Sequence, residues 1–123
     1  MSPEEKDPTY LRDMLEAARQ VVDFTRGLSF EAYMSASMVR MAVERGLEIL
    51  GEAARRVSPS LKEEHPEVPW RDVIGLRNVL SHDYGEVRQD RLWEIASRDV
   101  PALIGLLEAF VFPDSKQADA GND

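Results

Sequence analysis

Residues 30–57, FEAYMSASMVRMAVERGLEILGEAARRV, decide the fold. The run has no proline, and Met34, Met38, Met41, Val43, Leu47 and Leu50 recur at helical spacing, so it reads as a long amphipathic helix. A bend is expected near Ser35 and Ser37, because serine hydroxyls compete for nearby backbone groups. Ser29 supplies an N-cap oxygen just before the run, and Ser58-Pro59 stops it. Working outward, Asp7-Pro8 reads as an N-cap with proline at the first helical position. Leu11, Met14, Leu15, Ala18, Val21 and Val22 then carry one apolar stripe to Gly27. A short turn follows Ser58-Pro59 and ends before His65-Pro66, with His65 expected as an exposed turn residue. Pro69 opens a helix bearing Trp70, Val73, Ile74, Leu76, Val79 and Leu80, which Gly85 is placed to end. A last helical stretch runs from about Asp90 to Phe112, kinked or divided at Pro101, and the two tryptophans, Trp70 and Trp93, read as structural anchors. No segment alternates with period two. The expected fold class is therefore all-α, an up-and-down antiparallel helical bundle occupying residues 1–112, with a polar disordered tail over 113–123.

Composition narrows the function classes. The chain has 123 residues, 43% of them hydrophobic, enough for one core. With no cysteine and two histidines there is no disulfide framework, no thiolate nucleophile and too few ligands for a metal site, so no cofactor is expected. The acidic, proline-bearing N-terminus lacks the pattern of a signal peptide and no stretch reaches membrane-spanning length, which points to the cytoplasm and away from a membrane. Net charge is −8, unfavourable for coating nucleic acid. The charge is uneven: residues 70–98 hold five basic and five acidic side chains, and all five bases are arginine, whose planar fork suits phosphate.

That neutral segment contains Leu76-Arg77-Asn78-Val79-Leu80-Ser81-His82-Asp83-Tyr84-Gly85. On a continuous helix Asn78 and His82 share a face, where the Asn78 amide can fix the imidazole tautomer, and Arg77 and Tyr84 fall within about 20° of one another. Metal-free cleavage of RNA needs a base for the 2′-hydroxyl, an acid for the leaving oxygen and a cation for the phosphorane. Histidine titrates near neutrality and arginine stays charged, so His82 and Arg77 fit, with one histidine per chain sufficing if two copies meet. The same residues have plainer readings. Arg77 can pair with Asp72 or Asp83, His82 can complement a helix end, and Tyr84 can bury its ring. Gly51-Glu52 reads first as a place of close helix packing, with Glu52 as a supporting partner of the site. Met34, Met38 and Met41 read as core or as a dimer interface.

The sequence resembles the HepT-like toxin family of the HEPN superfamily, whose hallmark is R-x-x-x-x-H-x-Y, here Arg77, His82 and Tyr84. The likeness runs through Gly51-Glu52-Ala53-Ala54, Pro66-Glu67-Val68-Pro69-Trp70-Arg71 and Ile74-Gly75-Leu76-Arg77-Asn78. It continues in Leu92-Trp93-Glu94-Ile95 and Asp99-Val100-Pro101-Ala102-Leu103. The resemblance implies a HEPN-type bundle that forms a homodimer with a composite cleft, and a metal-independent endoribonuclease acting on RNA there. Arg77 and His82 would be its catalytic pair and Asn78 a support. It further implies the toxin role in a toxin–antitoxin system, with an MntA-like minimal nucleotidyltransferase as antitoxin that silences the toxin by AMPylation of Tyr84. The competing expectation is a non-catalytic nucleotide- or RNA-binding module that is only partner and substrate of such a transferase.

Overall fold

The computed structural model describes residues 2–81 and 87–112. A 3₁₀ turn, Pro3–Lys6, leads into α1 (Asp7–Thr25), followed by α2 (Phe30–Ser35), α3 (Ser37–Arg56) and α4 (Pro59–Glu64). Then come α5 (Trp70–Ile74), α6 (Leu76–Val79), α7 (Gln89–Glu94), a π-helical turn at Ile95–Asp99 and α8 (Val100–Val111). No strand occurs among the described residues, and the architecture is the expected all-α bundle. The expected tail from Pro113 lies outside the described residues, as do His82, Tyr84 and Gly85. Among the described residues no helix is long and apolar enough to cross a membrane.

The course of the chain follows from its end contacts. Asp7, which opens α1, bonds Ser58 just past α3, so α1 and α3 are antiparallel. Trp93 packs on Phe30 and Tyr33 at one end, whereas Phe110 stacks on His65 at the other, so the run from α7 to α8 travels in the same direction as α3. α5 and α6 make the return journey against α3. The core between these elements is formed by Met14, Leu15, Val21, Tyr33, Leu47, Leu50, Leu92 and Leu107, each almost without solvent contact. Burial of one such Leu or Val side chain contributes about 1.5–3 kcal/mol. Two glycines set the helix spacing. A Cβ on Gly46 would lie 2.6 Å from Val21 Cγ2, and one on Gly51 would lie 3.1 Å from the Val73 carbonyl oxygen, so α3 approaches α1 and α5 at these points.

Several local expectations hold. Ser29 Oγ accepts from the Ala32 N–H at 3.1 Å, the chain breaks at Ala36 between Ser35 and Ser37, and Ser58 caps α4. The Arg40 guanidinium donates to the Met34 carbonyl, which satisfies an acceptor left free where α2 ends. α1 ends at Thr25, and the chain turns away through Gly27 at φ 77°, the left-handed conformation that favours glycine. Pro101 has no N–H and would crowd the carbonyl four residues back, and the wide π turn lies just before it. Trp70 is buried with its indole N–H on the His65 carbonyl at 2.9 Å, an anchor as expected.

Four expectations are corrected. Asp7 does not cap its own helix. The preceding 3₁₀ turn makes Asp7 already helical, and its buried carboxylate instead accepts from Ser58 N at 2.8 Å and Ser58 Oγ at 2.6 Å. Of the two readings of Met34, Met38 and Met41, the core one fails: Met38 is 84% and Met41 70% exposed, because the buried face of α3 is Val43, Gly46, Leu47, Leu50 and Ala54, and Met41 sits about 160° around the helix from Val43. His65 is half-buried rather than exposed, with its ring 3.8 Å from that of Phe110. The helix opened by Pro69 is not continuous, as the site geometry makes plain.

Candidate active site

Gly75 divides the return segment. Its N–H still bonds the Arg71 carbonyl at 2.9 Å, but its own carbonyl accepts from Asn78, three residues on, at 3.0 Å, so the turn tightens there. Glycine is the weakest helix former after proline, which is why the break falls at this residue. α6 then ends at Val79, where Ser81 N bonds the Asn78 carbonyl at 3.2 Å in another tight turn. The face argument linking Asn78 to His82 and Arg77 to Tyr84 required a helix running on through 84, and the described helix stops short of it.

What the tightened segment achieves is a division of faces. Leu76 points into the core, while Arg77 and Asn78 are exposed and lie on the wall of an open groove of about 1020 Å³. Ser81 and Ile74 share that wall. The facing wall is α3, which contributes Arg45, Glu48, Glu52, Arg55 and Arg56. Gly51 is what brings the walls together: its missing side chain leaves Leu76 Cβ within 3.6 Å of where a Cβ would sit, and Glu52, the next residue, turns to the groove. Three expected site residues, Glu52, Arg77 and Asn78, therefore meet in one groove. His82 and Tyr84 lie outside the described residues, five and seven positions after Arg77.

The groove is laced with ion pairs on α3. Arg55 grips Glu52 with both Nε (3.3 Å) and Nη2 (2.7 Å), and Arg56 Nε reaches the same carboxylate at 3.2 Å. The Arg55 hydrogen bond, with Arg56 adding in the same direction, holds the Glu52 carboxyl below the usual carboxylate range. Arg45 pairs with Glu48 at 3.2 Å. With Asp13 and Glu44 also on its rim, the groove balances its four arginines with four carboxylates, in a chain whose net charge is −8. Behind the rim, the buried Tyr33 hydroxyl donates to Gln89 Oε1 at 2.5 Å, and Gln89 Nε2 donates to Glu44 at 3.0 Å. Burial first, and the Glu44 charge second, push the Tyr33 phenol up to about 12, so it stays a neutral donor.

A neutral groove with a guanidinium and an amide on one wall is a fitting place for a phosphodiester, and comparison with known proteins agrees in kind. A family model described as ribonuclease HepT-like matches residues 14–110. The chain belongs to the ribonuclease HepT-like family. Membership makes it an enzyme of the ribonuclease class. A Methanocaldococcus jannaschii protein named "Putative RNase" is 40% identical over 94 residues, 76% of this chain and 86% of that protein. A Thermococcus cleftensis protein named "Probable ribonuclease HepT" is 38% identical over 99 residues, 80% of this chain and 90% of the relative. A third relative, a "Putative RNase" of Caldanaerobacter subterraneus, is 32% identical over 94 residues, 76% of this chain and 84% of its own length. No solved structure gives a significant match.

Sequence reasoning missed the α3 arginines. The signal was present: Arg45, Glu48, Glu52, Arg55 and Arg56 follow helical spacing on the face that carries Glu52, which had already been singled out. It also missed the Tyr33–Gln89–Glu44 relay, whose members are 56 and 45 residues apart.

Proposed function

We propose that this HepT-like ribonuclease is the toxin of a toxin–antitoxin pair, cutting RNA in the cytoplasm without a metal at the groove that carries Arg77. The observation that carries the reading is the meeting of Arg77, Asn78 and Glu52 in that one groove, with the motif residues His82 and Tyr84 next along the chain. Arg77 binds the scissile phosphate and stabilises the negative charge that builds on the phosphorane. His82 takes the proton of the attacking 2′-hydroxyl, and His82 of a second copy protonates the leaving oxygen, which is why the working unit is a homodimer. The exposed stripe of Met34, Met38 and Met41 supports this: a second copy seated there would remove large apolar side chains from water, and Met41 also borders the groove, so the interface would adjoin the site. The antitoxin is an MntA-like minimal nucleotidyltransferase that transfers AMP from ATP to Tyr84. The negative charge that an AMP group adds to Tyr84 repels the RNA backbone and blocks its entry.

The test is RNA cleavage and growth inhibition by wild type and His82→Ala. Loss of both by a variant that keeps its fold and its oligomeric state supports the reading. Equal cleavage by the variant overturns it, and absence of cleavage by both leaves a binding module that is only partner and substrate of the transferase.

A further inference from the structure

Glu52 is a carboxylate shared by two arginines. Arg55 meets it through two nitrogens and Arg56 through one, so this part of the groove wall carries two cations on one anion. The other ion pair on α3 that lines the groove, Arg45 with Glu48, is one to one. Arg77 lines the same groove, and the residue before it, Leu76, has its Cβ 3.6 Å from where a Cβ on Gly51 would sit, next to Glu52. Arg55, Arg56 and Arg77 thus line one groove in a molecule that is otherwise strongly acidic. All three partners of the Glu52 cluster keep substantial solvent contact, with side chains 39%, 58% and 55% exposed for Glu52, Arg55 and Arg56. Exposed ion pairs contribute little net stability, so their exchange for another anion costs little.

We propose that Arg55 and Arg56 form a second phosphate subsite, which holds an RNA phosphate neighbouring the one bound by Arg77, and that Glu52 occupies their forks until RNA replaces it. The inference rests on the ribonuclease reading for its ligand. A phosphate offers guanidinium the same paired-oxygen geometry as a carboxylate, so the rotamers that grip Glu52 are already suited to it. Glu52 is a positioning residue: it keeps both side chains laid along the groove rather than splayed into water, and its charge lowers affinity for RNA. Contacts to a neighbouring phosphate act equally on bound substrate and transition state, so they set KM rather than kcat.

The experiment measures binding of a short fluorescein-labelled RNA, 2′-O-methylated throughout and so uncleavable, across a salt series, alongside cleavage of the unmodified strand. The proteins are wild type, the double variant Arg55→Gln with Arg56→Gln, Glu52→Gln, and Arg26→Gln as a charge control away from the groove. The double variant is expected to weaken binding and raise KM by about tenfold with kcat within about twofold, and to flatten the salt dependence by about 0.7 per arginine removed. Glu52→Gln tightens binding, and Arg26→Gln changes none of these. Binding that keeps wild-type affinity and salt slope in the double variant overturns the subsite while leaving the ribonuclease reading intact. Weakened binding with the flattened slope, but no cleavage by any protein, supports the subsite and removes the catalytic reading. Wild type that binds no RNA overturns both.

Discussion

The α1–α3 pair and the α5–α6 segment each meet a neighbour across a glycine of α3, yet they are built to different standards. α1 and α3 have 19 and 20 residues, bury a continuous stripe against each other, and are tied at one end by the buried Asp7–Ser58 hydrogen bonds. α5 and α6 have five and four residues, are parted by Gly75 and bury only Trp70, Val73 and Leu76. Helices of that length are not stable alone, so packing on α3 is what gives the segment its shape. The difference teaches where stability and chemistry reside. The long pair is a platform, and the short segment displays Arg77 and Asn78 at a height fixed by the contact at Gly51. Elements that carry sites are often drawn from the less stable parts of a fold.

Breaking the platform gives the larger effect. Leu47→Ala removes a fully buried side chain from the core face of α3 and is expected to cost about 2–5 kcal/mol in urea unfolding, while the folded fraction keeps its RNA affinity. A loss below about 1 kcal/mol would mean that the buried face of α3 is not the stabilising element. Gly51→Ala probes the short segment. Its Cβ would meet the Val73 carbonyl at 3.1 Å, so α5 must shift, at a cost of about 1–3 kcal/mol. The sharper outcome is functional: the shift moves the wall that bears Arg77, so cleavage falls further than folding does. An unchanged cleavage rate in the folded Gly51→Ala protein would show that the site does not depend on the height of α6.

Much of this was legible from sequence because it is local. Helix existence, the Ser29 cap, the break between Ser35 and Ser37, the stop at Ser58-Pro59 and the disturbance before Pro101 all depend on nearby residues. Gly51 was legible as a point of close approach, and Glu52, Arg77 and Asn78 do share a groove. What failed depends on distance in the chain. Asp7 pairs with a residue 51 positions away, which no local capping rule can find. The methionines follow helical spacing but lie off the packed face, which only the α1 contact defines. One glycine within a strongly apolar helical pattern is commonly tolerated, yet Gly75 tightens the turn and divides α5 from α6, and the short α6 that results ends at Val79, before the stretch on which the spacing argument for His82 and Tyr84 relies.

The central claim is that Arg77 supplies the cation of a metal-independent ribonuclease site. Its most direct test compares RNA cleavage by purified wild type and Arg77→Ala in EDTA, with thermal unfolding of both as the control. The account predicts that wild type cleaves in the chelator, and that the variant, unfolding at the same temperature because Arg77 is a surface residue, loses at least about a hundredfold in rate. Cleavage by Arg77→Ala at the wild-type rate, or wild-type activity that vanishes in EDTA, would contradict it.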